Sequence, residues 1–436
     1  MLLASTSTII ITGMAVFFTV ILLLVALLLT AKAKLSPSGP VKLNINGEMV
    51  EVESGSTLLS TLSNQKIFLP SACGGGGTCG MCKCQVMEGG GDILPTETGF
   101  FSRKEIQENW RLGCQVKIKN SMTIKVPEEI FGIKKWECEV VSNYNVATFI
   151  KEFVVKLPEG EHMEFEAGGY IQIDVPALEV NFKDFDISPT PGDPAGLDKF
   201  KPDWDKFGLW DLKMKNDEPQ FRAYSMANHP AEGNIIMLNI RIATPPWDRA
   251  KNAWLDVNPG ICSSYVFSCK PGDKVTISGP YGEFFIKETE KEMVYIGGGA
   301  GMAPLRAHIF HLFHTLKTKR KVSFWYGGRS KRELFYTEHF RAIEQNFPNF
   351  RFHVVLSEPL PEDNWQVAKD VSDRNADGFL GFVHQSFIDN YLSKHSDPED
   401  IEFYFCGPPM MNAAVLKMVD DWGVPPEQVS FDDFGG

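Results

Sequence analysis

The sequence predicts a multidomain protein: a single N-terminal transmembrane helix, a small cysteine-bearing β domain, an antiparallel β-barrel and a C-terminal α/β domain. Three observations predict this order. The segment Ile9–Leu29 contains no charged residue. Short alternating segments separated by glycine and proline fill the middle of the chain, which is typical of antiparallel sheets. Beyond about residue 289, strand and helix patterns alternate, which predicts a parallel sheet.

Composition narrows the possible functions before any motif is considered. A chain of 436 residues is long enough for several domains. Its formal net charge of −12 argues against nucleic acid as a partner. Nine cysteines in a long chain without a secretory pattern do not suggest a disulfide framework. The sequence therefore predicts that the main body is cytoplasmic.

The apolar segment Ile9–Leu29 spans 21 positions, enough for a helix to cross a hydrocarbon core of about 30 Å. Lys32 and Lys34 follow it and no Lys or Arg precedes it, which places the N-terminus outside and the soluble domains in the cytoplasm. A cleavable signal peptide is the alternative, although a basic leading region is missing. We predict a single-pass anchor over residues 1–34. Because the span has no ionisable side chain, it cannot form an ion pathway.

The most informative segment is a glycine-rich loop at residues 70–84, PSACGGGGTCGMCKC. It places Cys73, Cys79 and Cys82 at a C-x5-C-x2-C spacing, and Cys114 follows after 31 intervening residues. Glycines allow a backbone to wrap closely around a bound group and turn its amides inward. Four thiolates in such a loop predict a 2Fe–2S cluster. A structural zinc site and unligated thiols are the alternatives.

The cysteine spacing resembles adrenodoxin-type ferredoxins more than plant-type ferredoxins, which have one residue fewer between the first two cysteines. A hairpin signal at Asn46-Gly47 precedes the loop, and a predicted helix covers residues 54–63. Together with the returning strands, these elements resemble the β-grasp ferredoxin fold. We predict a ferredoxin domain over residues 35–128.

Residues 129–288 are predicted to form the β-barrel, interrupted at 181–217 by an aromatic, proline-rich insertion. We interpret the insertion as ordered surface structure, with a disordered loop as the alternative. Arg222, Tyr224 and Ser225 fit the R-x-Y-S signature and resemble the ferredoxin reductase family. The resemblance implies that the arginine pairs with the flavin pyrophosphate, the tyrosine lies on the flavin ring and the serine reaches the ring near N5.

A second flavin motif follows at a predicted helix start, where free N–H groups and hydroxyls suit a diphosphate. Its candidate cofactor contacts are Gly260, Cys262, Ser263 and Ser264. Arg241 could add a phosphate or ribityl contact, or could be an ordinary strand residue. The segment GPYGEFF at 279–285 strengthens the resemblance, which implies FAD rather than FMN.

Residues 289–436 are predicted to form the nucleotide domain. A short apolar strand at 293–296 leads into a glycine turn and then a helix, the context that a dinucleotide diphosphate requires. The turn resembles the NAD(P) loop of the same reductase family. Its predicted contacts are Gly297, Gly298, Gly299, Ala300, Gly301 and Pro304.

A later strand ends in Cys406, Gly407 and Pro408, where the nicotinamide is expected to approach the flavin. The resemblance places this cysteine close to the transferred hydride. It also implies that a terminal aromatic covers the flavin; Phe434 is the candidate, a core aromatic being the alternative. Ser225, Cys406 and Phe434 are therefore the predicted catalytic residues.

Nucleotide selectivity stays open from the residues alone. Arg329, Ser330 and Arg332 could bind a 2′-phosphate, whereas Glu333 could accept a hydrogen bond from a free 2′-hydroxyl. The resemblance favours NADH.

The segments together resemble the F subunits of sodium-translocating NADH:quinone oxidoreductases over essentially all 436 residues. The segments that carry the resemblance are the anchor, CGGGGTCGMC, GGGDILPTE, RAYSMANHP, RIATPP, GPYGEFF, GGGAGMAPLR, CGPPMMN and the terminal DDFGG.

This resemblance implies that NADH reduces FAD by hydride transfer and that electrons leave singly through the 2Fe–2S cluster. Other subunits of a complex in the bacterial inner membrane would then reduce quinone and move Na⁺. An anchored reductase component of a multicomponent oxygenase is the alternative. A zinc-stapled scaffold tethered to the membrane is a second alternative, from a different class.

Overall fold

A computed structural model of the chain describes residues 6–35, 39–248 and 250–433. The chain divides into two compact units. The first contains residues 1–70 and 75–132, and the second contains residues 71–74 and 133–436.

Within its described residues, the first unit contains three α-helices and a five-stranded sheet. Its elements are α1 (Thr6–Leu35), β1 (Pro40–Ile45), β2 (Glu48–Glu53), α2 (Leu58–Asn64), β3 (Lys83–Glu88), α3 (Arg103–Gln107), β4 (Trp110–Leu112) and β5 (Met122–Lys125). The sheet order is β2-β1-β5-β3-β4, with β1 and β5 parallel and the other neighbours antiparallel. The hairpin predicted at Asn46-Gly47 joins β1 and β2.

Helix α1 carries apolar side chains that are exposed, including Ile11, Phe17 and Leu22. Among the residues that the structure describes, no helix combines the length and the hydropathy that a membrane crossing needs. The predicted span Ile9–Leu29 extends at both ends over residues whose side chains lie outside this description.

The core of the sheet in the first unit is formed by leucines and isoleucines from strands and from α2. Leu43, Leu58, Leu62, Leu112 and Ile118 are fully buried. Alternation along β1 and the spacing of the leucines in α2 bring these side chains onto facing surfaces. The loop that carries the cysteines leads directly into β3 of this sheet.

The second unit begins with an antiparallel sheet and its connections. These elements are β6 (Lys134–Ala147), β7 (Ile150–Lys156), β8 (Tyr170–Val175), β9 (Leu178–Asn181), α4 (Lys201–Lys206), β10 (Lys213–Asn216), β11 (Gln220–Ser225), β12 (Ile235–Arg241), β13 (Trp247–Asp248), β14 (Ala253–Trp254), α5 (Ile261–Ser268) and β15 (Lys274–Tyr281). Six strands form one sheet in the order β11-β8-β15-β6-β7-β12. Beyond β11, the Ala227 amide donates to the Met237 carbonyl of β12 at 2.7 Å, so the two outermost strands are linked.

The segment at 181–217 is ordered around an aromatic core. Phe182, Phe200 and Trp204 are fully buried. The Trp204 indole also donates to the Thr148 carbonyl at 2.8 Å, which ties the segment to the end of β6. Hydrophobic periodicity is weak here because these aromatics sit on short turns rather than on one long helix or strand.

The remainder of the second unit is an α/β domain. Its elements are β16 (Glu292–Gly298), α6 (Met302–Phe310), β17 (Val322–Gly328), α7 (Thr337–Asn346), β18 (Phe350–Leu356), β19 (Phe379–Leu380), α8 (Val383–Asn390), β20 (Ile401–Cys406), α9 (Pro409–Asp421) and β21 (Val429–Asp432). All six strands are parallel, in the order β19-β18-β17-β16-β20-β21. The order reverses between β16 and β20, and ligands of such sheets bind at this switch point.

Candidate functional site

The cysteine loop brings at least two of its thiols together. Cys82 and Cys114 are buried, and a hydrogen bond between their thiols, with burial, raises the pKa of Cys82 well above its usual value. Cys79 lies close enough to add to this shift. Cys73 belongs to the segment 71–74, which groups with the second unit. Across the described residues, no three His, Cys, Asp or Glu side chains already form a closed set of metal ligands.

The backbone of this loop fits a 2Fe–2S cluster. Gly75, Gly77 and Gly80 have φ values of +88°, +75° and +71°, which side-chain-bearing residues rarely adopt. A Cβ on Gly77 would lie 2.4 Å from Nε2 of Gln115. Loop conformation and thiol chemistry therefore both suit a cluster, whose thiolate ligands form when metal replaces the protons.

Two neighbouring side chains bear on this site, and the sequence motif named neither as functional. Gln115 donates from Nε2 to Sγ of Cys114 at 3.7 Å, while Thr96 donates to its Oε1 at 3.1 Å. Cys84 is fully buried, and burial raises its pKa to about 12.

A buried ion pair secures the segment between β3 and Cys114. Arg111 donates from Nη2 to Oε2 of Glu97 at 2.7 Å, and also to the carbonyls of Gly90 and Gly91. The other carboxylate oxygen of Glu97 accepts from the amide of Leu112 at 2.9 Å. Both charged side chains are almost completely buried. The run GGGDILPTE thus serves to place a counter-charge, which its spacing alone did not reveal.

The R-x-Y-S residues lie along β11. Arg222 and Tyr224 lie on one face of the strand and Ser225 on the other, because side chains alternate along a strand. Arg222 uses Nη1 to donate to the neighbouring Phe221 carbonyl at 2.7 Å. These positions remain proposed flavin contacts.

Helix α5 begins at the second flavin motif. Gly260 is its N-cap residue, and no side chain caps the helix. A Cβ on Gly260 would lie 2.5 Å from that of Ala243, so only glycine fits there. Ser263 donates to the Gly260 carbonyl at 3.1 Å, whereas the buried hydroxyl of Ser264 has no hydrogen-bond partner in the described chain. An uncapped helix start with an unpartnered hydroxyl fits a diphosphate. Cys262, also named by the motif, is buried.

Ser225 has a partner that sequence reasoning missed. Its hydroxyl donates to Oδ2 of Asp432 at 2.6 Å, across 207 positions of the chain. Burial raises the pKa of Asp432 above its usual range. Cys406 is also fully buried, and burial together with the charges of Asp432 and Asp433 raises its thiol pKa. Two of the predicted catalytic residues, Ser225 and Cys406, therefore share Asp432 as an acidic neighbour. The only sequence feature that could have indicated this role is the pair of aspartates just before the terminal aromatic residue.

Phe434, the third predicted catalytic residue, lies outside the described residues. Phe431 lies two residues before the last described residue, and its ring stacks on that of Phe405 with the centroids 5.3 Å apart.

A cavity of about 500 Å³ lies at the switch point of the parallel sheet. It is lined by Arg241, Gly298, Gly299, Gly327, Gly328, Arg329, Glu333, Val355, Ser357, Gly381, Phe382, Val383, His384, Pro408, Met410, Met411 and Ala414. Glycines and an open helix start fit a dinucleotide, which needs close backbone approach.

The glycine turn is pressed against the end of β20. Gly297 pairs with Cys406 across neighbouring strands. A Cβ on Gly301 would lie 2.1 Å from the Cys406 carbonyl oxygen and 2.6 Å from the Gly407 nitrogen. Ala300 sits in the same turn, and Pro304 is buried in the first turn of α6. The predicted nucleotide loop and the predicted hydride site are thus in direct contact.

The charged residues considered for selectivity between NADH and NADPH do not all lie at the cavity. Glu333 and Arg329 both line the cavity and form an ion pair at 3.0 Å. Arg332 instead pairs with Asp203 of the insertion at 3.0 Å and with Glu362 at 2.9 Å. Arg241, considered as a phosphate or ribityl contact or as an ordinary strand residue, lies at the end of β12 and lines this cavity together with Gly298 and Gly299.

Three families of domains match along the chain. Residues 41–119 match the 2Fe-2S iron-sulfur cluster binding domain, residues 209–286 the oxidoreductase FAD-binding domain, and residues 295–417 the oxidoreductase NAD-binding domain. The chain thus combines a 2Fe–2S cluster, FAD and NAD as its cofactors.

Solved structures share this arrangement of the fold. A cytochrome P450 reductase from Amycolatopsis has a TM-score of 0.57 at 23% identity, covering 90% of this chain and 98% of its own. A ferredoxin reductase of carbazole 1,9a-dioxygenase has a TM-score of 0.55 at 23% identity, with 91% and 99% covered. The fold is a ferredoxin joined to a reductase-like FAD and NAD module.

Curated relatives match at much higher identity. In Pseudomonas aeruginosa (strain UCBPP-PA14), a protein named as the F subunit of Na(+)-translocating NADH-quinone reductase is 53% identical over 425 residues, covering 97% of this chain and 98% of that protein. Proteins of the same name are 53% identical in Neisseria meningitidis serogroup C (strain FAM18), covering 98% and 100%, and 54% identical in Histophilus somni (strain 129Pt), covering 97% and 99%. The chain therefore belongs to the family of F subunits of the Na⁺-translocating NADH-quinone reductases.

Proposed function

We propose that this chain is the NADH-oxidising, electron-input subunit of a sodium-pumping NADH:quinone oxidoreductase. The observation that carries the proposal is the identity of 53% over 97% of the chain with proteins of that name, which spans all three cofactor-binding domains. When bound, FAD takes a hydride from NADH and returns the electrons one at a time, which is the only form that a 2Fe–2S cluster accepts.

The residues of the chain supply binding and orientation. We assign Arg222, Tyr224 and the start of α5 at Gly260–Ser264 to FAD, and the turn at Gly297–Gly301 with Pro304 to NADH. Cys406, Gly407 and Pro408 complete the nucleotide site, and Cys73, Cys79, Cys82 and Cys114 ligate the cluster. In support, Ser264 offers an unpartnered buried hydroxyl and the glycine turn contacts the end of β20.

The Ser225–Asp432 hydrogen bond gives the flavin site a way to move a proton. The Ser225 hydroxyl can relay a proton to the Asp432 carboxylate, whose pKa is raised by burial. Phe434, two residues further along the chain, is proposed to cover the flavin until nicotinamide replaces it.

The finer architecture belongs to the same proposal. Residues 1–34 anchor the chain by a single pass in the bacterial inner membrane, with the N-terminus outside and the other domains in the cytoplasm; the uncharged segment Ile9–Leu29 and its flanking lysines support this. The sheet of residues 129–288, with its insertion at 181–217, closes into a barrel. Residues 35–128 form the ferredoxin domain and residues 289–436 the NADH domain. Partner subunits reduce quinone and move Na⁺.

Cys73→Ala tests the electron route in the purified, assembled complex. NADH oxidation by ferricyanide, which can take electrons at the flavin, should persist, while electron transfer to quinone should fall to background. Undiminished transfer to quinone would contradict the proposal. A spectrum of the wild-type chain without flavin bands, together with bound zinc, would instead favour the scaffold.

The oxygenase-reductase alternative is less well supported. Its solved examples share the fold at 23% identity. Reduction of quinone by the assembled complex separates the two, because an oxygenase reductase would pass electrons to an oxygenase instead.

A further inference from the structure

We propose that Arg306, through a partly buried ion pair with Glu232, is a positioning residue that orients the nucleotide turn against the flavin strand. The inference rests on the proposed function and deepens it. It assigns the geometry of hydride transfer to a contact between the last residue of GGGAGMAPLR and the end of RAYSMANHP, at positions that were not predicted to touch a cofactor.

Arg306 connects the two motifs physically. It lies on α6, which starts directly after the glycine turn, and its side chain is 4% exposed. Its Nη2 donates to Oε1 of Glu232 at 2.6 Å and its Nη1 to Oε2 at 2.9 Å. Nη1 also donates to the carbonyl of Ala227 at 2.7 Å. Ala227 is two residues beyond Ser225, so the guanidinium joins the nucleotide helix to the end of the R-x-Y-S strand.

The guanidinium has little freedom to move. Its carbon lies 4.0 Å from the centre of the Phe310 ring and 5.2 Å from that of Tyr336. A paired, planar contact between arginine and carboxylate fixes an orientation as well as a distance, which a single point charge does not. The paired contact between the Arg306 guanidinium and the Glu232 carboxylate therefore controls how α6 is rotated relative to β11.

Other contacts of the same domain meet the sheet of β6–β12 and β15 nearby. His308, also on α6, forms a 3.0 Å hydrogen-bond contact between its Nε2 and the Phe284 carbonyl, and its ring stacks on Phe284. The Tyr336 hydroxyl donates to Oε2 of Glu152 and accepts from Nδ2 of Asn239 at 2.9 Å. Arg306 is thus one of several contacts between the α/β domain and this sheet, and it lies at the end of β11, where Ser225 also bonds to Asp432.

Stability alone does not explain this ion pair. Nε of Arg306 is buried and has no hydrogen-bond partner in the described chain. Burial of the guanidinium with one N–H donor unpaired costs free energy, and this cost offsets much of the attraction between Arg306 and Glu232. Tyr336 has a left-handed φ of +58°, a conformation that non-glycine residues retain when their surroundings impose it. Both features fit a contact that determines position.

Position matters because hydride transfer is sensitive to small displacements. A misplacement of about 1 Å from a distant change can cost about 10²-fold in rate. Breaking the Arg306–Glu232 ion pair should therefore slow hydride transfer while FAD and NADH still bind.

Arg306→Met and Arg306→Lys in the full-length, FAD-loaded protein test the inference. We expect single-turnover FAD reduction to slow by about tenfold or more in Arg306→Met, with a larger isotope effect from 4-deuterated NADH. The KM for NADH and the FAD content should change little, and Arg306→Lys should fall between Arg306→Met and wild type. Arg320→Met is the matched control, because it breaks a buried ion pair, Arg320–Glu402 at 2.6 Å, and a hydrogen bond to the Lys287 carbonyl at 3.0 Å, away from both β11 and the glycine turn.

A purely structural role predicts that both Met variants lose FAD and thermal stability to the same extent, with an unchanged isotope effect; that result overturns the inference. If Arg306→Met does not fold, Glu232→Gln removes the carboxylate and must produce the same slower reduction. A wild-type chain whose FAD is not reduced by NADH refutes the proposed function, whereas normal reduction in both the wild type and Glu232→Gln refutes only this inference.

Discussion

At the scale of single residues, some side chains beside the proposed cofactors are not ligands themselves. They determine the charge and the hydrogen bonding around the residues that are proposed to bind the cofactors. Gln115 donates to the sulfur of Cys114, and Asp432 accepts from Ser225. Hydrogen bonds to cluster sulfurs stabilise the more negative, reduced state and so raise the reduction potential. Residues of this kind tune a reaction whose chemistry the cofactors supply.

Gln115→Leu should make the midpoint potential of the cluster more negative, because the N–H donor to Cys114 Sγ is lost. For a one-electron couple, a tenfold change in the redox equilibrium corresponds to about 59 mV, and we expect a shift of no more than about that size. A redox titration followed by electron paramagnetic resonance measures it. Gln85→Leu is the control, since Gln85 donates to the Glu108 carbonyl on the exposed surface; equal shifts in both variants would contradict the assignment.

At the scale of elements, the glycine turn works because nothing protrudes from it towards β20. Gly301→Ala would place a methyl group 2.1 Å from the Cys406 carbonyl oxygen. Overpacking of this kind costs about 1–3 kcal/mol and displaces backbone. We expect a higher KM for NADH and slower FAD reduction in steady-state and stopped-flow assays. Gly99→Ala, which meets open space, should behave as wild type; an unaffected Gly301→Ala would show that the turn is not a nucleotide site.

The segment between β3 and β4 depends on the Glu97–Arg111 pair. Glu97→Gln leaves a buried guanidinium without its counter-charge, and breaking such a pair costs about 3–5 kcal/mol. The cluster absorbance should then be lost at a lower temperature or urea concentration than in wild type. Glu108→Gln removes the partner of Lys104 in an exposed pair at 3.8 Å, which is worth about 0–1 kcal/mol. Identical melting of the two variants would mean that the buried pair adds nothing.

At the scale of the whole molecule, stability should depend on pH through buried histidines. Burial lowers the pKa of His308, and likewise that of His353, from 6.5 to about 4. A lowered folded-state pKa gives stability that is present above pH 6.5 and is lost as the pH falls towards 4. For His308 the difference amounts to about 3 kcal/mol.

Urea unfolding between pH 7.5 and 4.5 measures this effect in the holoprotein. His308→Gln should flatten the pH dependence, although it also removes a contact with Phe284. His162→Gln, at an exposed position, should leave the slope unchanged. A wild-type slope in His308→Gln would mean that other groups govern acid unfolding.

Several features of this protein could be predicted from local sequence. The cysteine spacing, the R-x-Y-S strand and the glycine turn each describe a few adjacent residues whose backbone must follow a ligand. Strand and helix periodicity likewise predicted the sheets and the order of the domains. Family membership followed from the same segments and was confirmed at 53% identity.

The tertiary structure alone decided which distant groups meet. Ser225 and Asp432 are separated by 207 positions, and Arg306 and Glu232 by 74. Arg241, at the end of β12, lines the same cavity as Gly298 and Gly299 of the glycine turn, since the end of a strand is placed by its neighbours in the sheet. Spacing along a chain specifies a local backbone shape, whereas pairing of buried charges depends on how separate elements pack. For that reason the cofactor-binding domains could be predicted from the sequence, and contacts such as Ser225–Asp432 and Arg306–Glu232 could not.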